Sequence, residues 1–292
     1  MKEGLTTVSD GRRVAFADYG TPGQTPVLWC HGGPGSRWEP EICAAAADQA
    51  GLRLIGIDRP GYGRSTPQPG RTIGGWVPDA LAVADHLGID RFVSVGASTG
   101  GAYALALAAA SRRVMGTVAC CAVSDMRWTE GRALVPGALA VWEAPNREAA
   151  HAIVVAQFGE HGENMSAYST GDAAAEADRE MFADTVAAQC WQRAMTEAFA
   201  RGFGGYVDDR LADGSGWATF DVSAIACPVV VLHGTGDMLV PVANAHHTAA
   251  LVPGATLRIV DRLGHLSIVL EMVSAIRQVL ACANIRTSAA AS

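Results

Sequence analysis

The sequence predicts an α/β protein: a mainly parallel β-sheet with helices on both faces, interrupted once by a helical insertion. Short β-rich runs alternate with Ala-rich stretches of helical length, the rhythm expected when each parallel strand needs a crossover before the next. That rhythm stops between about Asp125 and Asp221 and resumes afterwards. Hydrophobic residues make up 49% of the 292 positions and charged residues 17%, a balance that buries a large core rather than leaving the chain disordered.

Taken in order, the chain opens with a hairpin-like pair, Thr6–Ser9 and Arg13–Asp18, around Asp10-Gly11; antiparallel pairing is expected here. Further strands are expected at Val27–Cys30, Leu52–Ile57, Phe92–Val95, Val114–Cys120, Val229–Leu232 and Thr256–Val260. Helices are expected at Glu39–Ala50, Trp76–Leu87, Thr99–Ala110, Val242–Leu251 and Ser267–Cys282, with the Ala-Ser tail after Ile285 frayed. The interrupting stretch has no strong strand and reads as several helices with Gly-rich joints near 202–205 and 214–216. The division is thus a core of residues 1–124 and 222–292 with a helical cap insertion at 125–221.

Charge and cysteine usage exclude several function classes. With 22 basic and 29 acidic side chains the formal net charge is −7, and Lys2 is the single lysine. Residues 125–221 hold 16 of the acidic and 7 of the basic side chains, so the whole negative balance lies in the insertion. No basic stripe offers phosphate contacts, which argues against nucleic acid as a partner. No apolar run approaches the roughly 20 residues that span a bilayer, and the opening MKEGLTTVSDGRR lacks the apolar core of a signal peptide. A cytoplasmic protein without membrane contact is expected. The seven cysteines are odd in number, widely spaced and free of any CxxC pair, so neither a disulfide framework nor a zinc site is expected; they read as small buried apolar groups. His246-His247 has no carboxylate at metal-ligand spacing and reads as a solvated or core pair.

The chemistry concentrates at strand ends. Phe92-Val-Ser-Val-Gly96-Ala97-Ser98-Thr99-Gly100-Gly101 is a strand running through Gly-x-Ser-x-Gly into an Ala-rich helix. A sharp strand-to-helix turn strains its central residue and exposes the side chain, while glycines two before and two after let the backbones approach. The helix N-terminus favours developing negative charge there. Downstream, Val229–Leu232 leads into His233-Gly-Thr-Gly-Asp237, a carboxylate placed to orient a histidine. Thr256–Val260 leads into Asp261-Arg-Leu-Gly264-His265, which supplies one. A serine hydroxyl needs a base to take its proton, and that base needs an acid to fix its tautomer. Asp125, at the end of the strand after the nucleophile helix, is the alternative acid. Near the N-terminus, Val27–Cys30 leads into His31-Gly-Gly33-Pro-Gly35, whose glycines free backbone N–H groups; the expected oxyanion donors are the amides of Gly33 and Thr99. His31 reads as an ordering residue of its loop, and Asp58-Arg59 as residues that knit the turn after their strand. Trp128, Trp142, Trp191 and Trp217 read as packing, with one or two able to line an acyl pocket.

The motifs HGGPG at 31–35, Asp58-Arg-Pro-Gly-Tyr-Gly-Arg-Ser65, GASTG at 96–100, GTGD at 234–237 and GH at 264–265 together resemble the α/β-hydrolase superfamily over nearly the whole chain outside the insertion. The resemblance implies an eight-stranded sheet and a serine hydrolase that needs neither cofactor nor metal, with Ser98, Asp237 and His265 as its triad. HGGPG is similar to the prolyl iminopeptidase branch, which usually carries Trp after the nucleophile where this sequence has Thr99. The reading taken is therefore a carboxylesterase, monomer or homodimer, acting on a small-molecule ester. A prolyl-type aminopeptidase, its substrate ammonium held by cap carboxylates, is the alternative within enzymes. A non-catalytic ligand-binding protein is the alternative outside them.

Overall fold

The structure, a computed structural model, describes residues 1–160 and 175–290. Eight strands form one sheet: β1 (Lys2–Thr7), β2 (Arg13–Asp18), β3 (Thr25–Cys30), β4 (Leu52–Ile57), β5 (Phe92–Ala97), β6 (Val114–Cys120), β7 (Val229–Gly234) and β8 (Thr256–Val260). They lie in the order β1-β2-β4-β3-β5-β6-β7-β8. β1 and β2 pair antiparallel, as does β2 with β4, and every later pairing is parallel.

Each interior strand has two buried faces because its side chains alternate. Leu28 and Cys30 of β3 point to one core with Phe16, Ile55, Phe92, Trp76 and Tyr103. Val27 and Trp29 of the same strand point to the other, with Leu54, Val95, Val118, Leu232 and Ile276. The helices on these faces are α1 (Ala44–Gln49), α2 (Val77–His86), α3 (Gly100–Ala110), α10 (Ala243–Leu251) and α11 (Met272–Ala290). α3 is buried from Gly100 to Ala108, which its Gly- and Ala-rich sequence permits.

Two boundaries differ from expectation at the chain ends. β1 starts at Lys2, because Val8–Gly11 makes the turn (Gly11 N–H donates to Val8 O at 2.9 Å) and Leu5 pairs with Ala15. The last helix continues through the Ala-Ser segment to Ala290.

Between β6 and β7 run α4 (Thr129–Ala133), α5 (Pro136–Trp142), α6 (Arg147–Phe158), α7 (Glu176–Ala183), α8 (Thr185–Ala198) and α9 (Gly204–Gly214). Val141, Val154, Phe158, Phe203 and Val207 give this segment its own apolar cluster, which Tyr62 of the core joins. Five of its acidic side chains, Asp125, Asp178, Asp208, Asp209 and Asp213, are buried. Asp209 is fully buried and pairs with Arg59 and Arg71, both at 2.6 Å, and accepts from Tyr103 Oη at 3.0 Å. Asp208 pairs with Arg147 at 2.7 Å. Asp209→Asn leaves two buried guanidiniums short of charge and should cost about 3–5 kcal/mol of unfolding free energy, read by urea denaturation. A loss below about 1 kcal/mol would show the network to be energetically idle.

Four of the seven cysteines (30, 43, 120 and 121) are buried, as expected of small apolar groups, while Cys190, Cys227 and Cys282 are half-buried. No helix among the described residues is long and apolar enough to cross a membrane.

Candidate active site

Ser98 sits between β5 and α3 with φ of 54°, in the left-handed region that a side chain rarely adopts. The flanking glycines are sterically required. A β-carbon on Gly96 would lie 2.0 Å from Gly100 O, and one on Gly100 would lie 2.0 Å from Cys30 O. The backbone is held by Ser98 N–H donating to Cys120 O at 2.9 Å and by Gly101 N–H donating to Ser98 O at 3.0 Å.

Beyond β7, the loop holding Asp237 is fastened by that residue itself: Oδ1 accepts from Leu239 N–H at 2.9 Å and Val240 N–H at 2.8 Å. This leaves Oδ2 for His265 Nδ1, 2.8 Å away. Burial alone would raise the Asp237 pKa, but His265 and His233 beside it hold the carboxyl well below the usual range. Burial also disfavours the His265 imidazolium, yet the Asp237 carboxylate outweighs this and raises the histidine above its ordinary value.

Ser98 and His265 line one cavity of about 340 Å³, together with Gly33. Among the described residues the Ser98 hydroxyl makes no hydrogen bond, so the structure joins His265 to Asp237 and places Ser98 on the shared wall without a bond to His265. Gly33 and Thr99 abut: a β-carbon on Gly33 would lie 2.7 Å from Thr99 Oγ1. Neither residue's N–H donates to another described residue, which leaves both amides available to a ligand. Asp125 is engaged elsewhere. Its carboxylate takes Arg127 at 2.6 Å and the Trp217 N–H at 3.0 Å, and makes no bond to His265.

The loop carrying Gly33 is braced from beneath. His31 Nε2 accepts from Arg59 N–H at 3.1 Å, so Nδ1 bears the proton and donates to Gly32 O at 2.6 Å. Burial, reinforced by the Arg59 charge, holds His31 well below its ordinary pKa, which keeps it neutral in this ordering role. Arg59 donates to His31 O and to Gly32 O, the latter at 2.8 Å. Glu39 accepts from Gly32 N–H and Trp29 Nε1, both at 2.8 Å, and burial pushes its carboxyl up to about 7. Asp58 knits the neighbouring turn, accepting from Arg37 N–H at 2.6 Å and Arg64 N–H at 3.1 Å. Of the four tryptophans singled out, Trp191 lines the cavity. His247 bonds Ser124 Oγ at 2.8 Å and stacks on Trp128.

Several site residues lay beyond the sequence reading. His233 Nε2 lies 3.2 Å from Asp237 Oδ2 and 2.8 Å from Val240 O, giving the acid a second imidazole; its signal was its place in the same strand end as Asp237. Cys121, with φ of 41°, offers a sulfur within 4.8 Å of ligating atoms of Asp237 and His265. Asp178, from α7, accepts from Leu266 N–H at 3.2 Å and from Ser267 N–H at 2.7 Å, and so secures the His265 loop from the segment above it. Glu39 and Arg210 also reach the cavity.

The family model described as the alpha/beta hydrolase fold matches residues 25–271. This chain belongs to the α/β-hydrolase fold family. A relative named non-heme haloperoxidase from Rhodococcus erythropolis is 30% identical over 271 residues, covering 89% of this chain and 92% of that protein. A proline iminopeptidase from Xanthomonas citri is 35% identical over 111 residues, covering only 37% of this chain and 35% of that one. Among solved structures, a thermophilic esterase from Thermogutta terrifontis superposes with a TM-score of 0.68 at 22% identity, over 97% of this chain and 99% of that one. That likeness carries the fold: an α/β-hydrolase with an eight-stranded, mostly parallel sheet.

Proposed function

We propose that this α/β-hydrolase is a serine carboxylesterase that works through an acyl-enzyme. The observation that carries the reading is the 2.8 Å Asp237–His265 hydrogen bond on a cavity whose wall also holds the strained Ser98. Ser98 Oγ attacks the ester carbonyl while His265 Nε2 takes its proton. Asp237 fixes the tautomer that leaves Nε2 free. The Gly33 and Thr99 amides hold the oxyanion, and His265 returns the proton to the leaving alcohol before water repeats the attack on the acyl-enzyme. Ile42, Val123, Leu134, Val135, Trp191 and Leu266 on the cavity wall suit an acyl chain. The helices of residues 125–221 act as a cap over this cavity.

The acidic insertion does not favour the aminopeptidase reading. Among the described carboxylates Glu39 alone lines the cavity, and both its oxygens are taken by Gly32 and Trp29. A substrate ammonium would find no free anion there. A screen of p-nitrophenyl esters against proline p-nitroanilide tests the choice. The anilide should be turned over at least about a hundredfold less efficiently than the best ester, a transition-state difference of about 2.7 kcal/mol. Comparable turnover of the two would transfer the assignment to the aminopeptidase.

A further inference from the structure

α9 carries Arg210 into the cavity beside the predicted oxyanion loop, a position where an esterase for purely apolar substrates has no use for a cation. Arg210 lines the cavity and is only 5% exposed. Its Nη2 lies where a β-carbon on Gly33 would approach it to 2.7 Å, so the guanidinium stands directly over that glycine. Its charge partner is Asp213, whose Oδ2 is 2.6 Å from Nη2 and also accepts from Thr99 Oγ1 at 3.2 Å. Nη2 meets Asp213 at a poor hydrogen-bonding angle, so Nε and Nη2, one buried edge of the guanidinium, make no hydrogen bond. The guanidinium carbon lies over the Tyr206 ring, 5.2 Å from its centroid.

A buried guanidinium whose Nε has no acceptor is costly unless one arrives, and a carboxylate taking this edge in two-point geometry would share Nη2 with Asp213. The charge around it also leaves room for an anion. Asp209 serves Arg59 and Arg71, Asp208 serves Arg147 and more distantly Arg71, and Asp213 serves Arg210. Four guanidiniums thus face three carboxylates. Glu39, the further acid on the wall, has both oxygens engaged, and burial shifts it toward its neutral form.

We infer that Arg210 receives a carboxylate of the substrate, so that the ester cleaved is that of a short acid bearing a second, ionised carboxyl group. This rests on the esterase reading above and names its substrate class. Because Arg210 stands over Gly33, the carboxylate lies a few atoms from the scissile carbonyl, which calls for a short spacer.

The experiment compares monomethyl succinate and monomethyl glutarate with methyl butyrate and methyl pentanoate, followed by acid release in a pH-stat. The protein should prefer the better anionic ester by at least about tenfold in kcat/KM, and succinate should inhibit hydrolysis of p-nitrophenyl butyrate where butyrate does not. Arg210→Gln should lower the anionic-to-neutral ratio about tenfold or more, chiefly through KM, and Arg210→Lys should restore part of it, having the charge without the fork. Equal losses for both ester types would make Arg210 an oxyanion donor and overturn the proposal. So would a parent enzyme that shows no preference, a measurement that needs no variant to fold. If the parent hydrolyses neither ester type yet succinate raises the Tm of both parent and Ser98→Ala, and not of Arg210→Gln, the anion site stands and the esterase reading falls.

Discussion

Replacing Ser98 by Ala lowers kcat toward the p-nitrophenyl esters by about 10⁴-fold or more, because nucleophile, base and acid act as one unit. The substitution removes one hydroxyl that makes no hydrogen bond to the described residues, so the fold has little to lose. The strained φ of 54° is imposed by the close approach of β5, α3 and the Cys30–His31 backbone around Gly96 and Gly100, not by the hydroxyl. A fluorophosphonate probe labels the parent and leaves Ser98→Ala unlabelled, with both proteins melting within a few degrees of each other. Undiminished labelling of the variant would place the nucleophile elsewhere.

Asp237→Asn lowers kcat by about 10³–10⁴-fold, since an amide beside Nδ1 admits the wrong imidazole tautomer. The pH profile carries a second signature. In the parent, the Asp237 carboxylate holds the His265 pKa above the ordinary histidine value of about 6.5, so kcat/KM rises with pH through an ionisation on the alkaline side of that value. With the carboxylate gone, burial is left as the main influence and disfavours the imidazolium, so the midpoint moves to lower pH. Asp125→Asn serves as the contrast: its carboxylate holds Arg127 and the Trp217 amide, and activity should change by less than about tenfold. If the two losses come out reversed, or the Asp237→Asn midpoint moves upward, the assigned acid is wrong.

The strands and the loops that follow them were legible in the sequence because each depends on local pattern. A Val-rich run ending in Gly-x-Ser-x-Gly specifies its own turn, and Asp237 and His265 each follow a strand directly. Asp178, Asp209 and Arg210 were not legible. The acidic surplus of residues 125–221 suggested a solvated face or a field over the cavity. Most of the described acidic side chains there are exposed, but Asp209 meets Arg59 and Arg71, 150 and 138 residues away in sequence, and Asp178 meets Ser267 across 89. Pairings of that separation leave no periodicity or spacing behind. The misplaced start of β1 has a smaller cause: Val8 and Ser9 have strand-like company but are spent on the turn.

α7 ties two events that could have been independent. Its Asp178 accepts hydrogen bonds from the Leu266 and Ser267 amides and from the Ser267 hydroxyl, while its Met181 lines the cavity. Any displacement of α7 from this position must give up those three bonds, and with them an anchor of the residues next to His265. On the proposed esterase reading, a segment of the insertion thus helps hold the residues beside the proposed base, so a substitution that frees Asp178 would disturb His265 without touching the cavity wall.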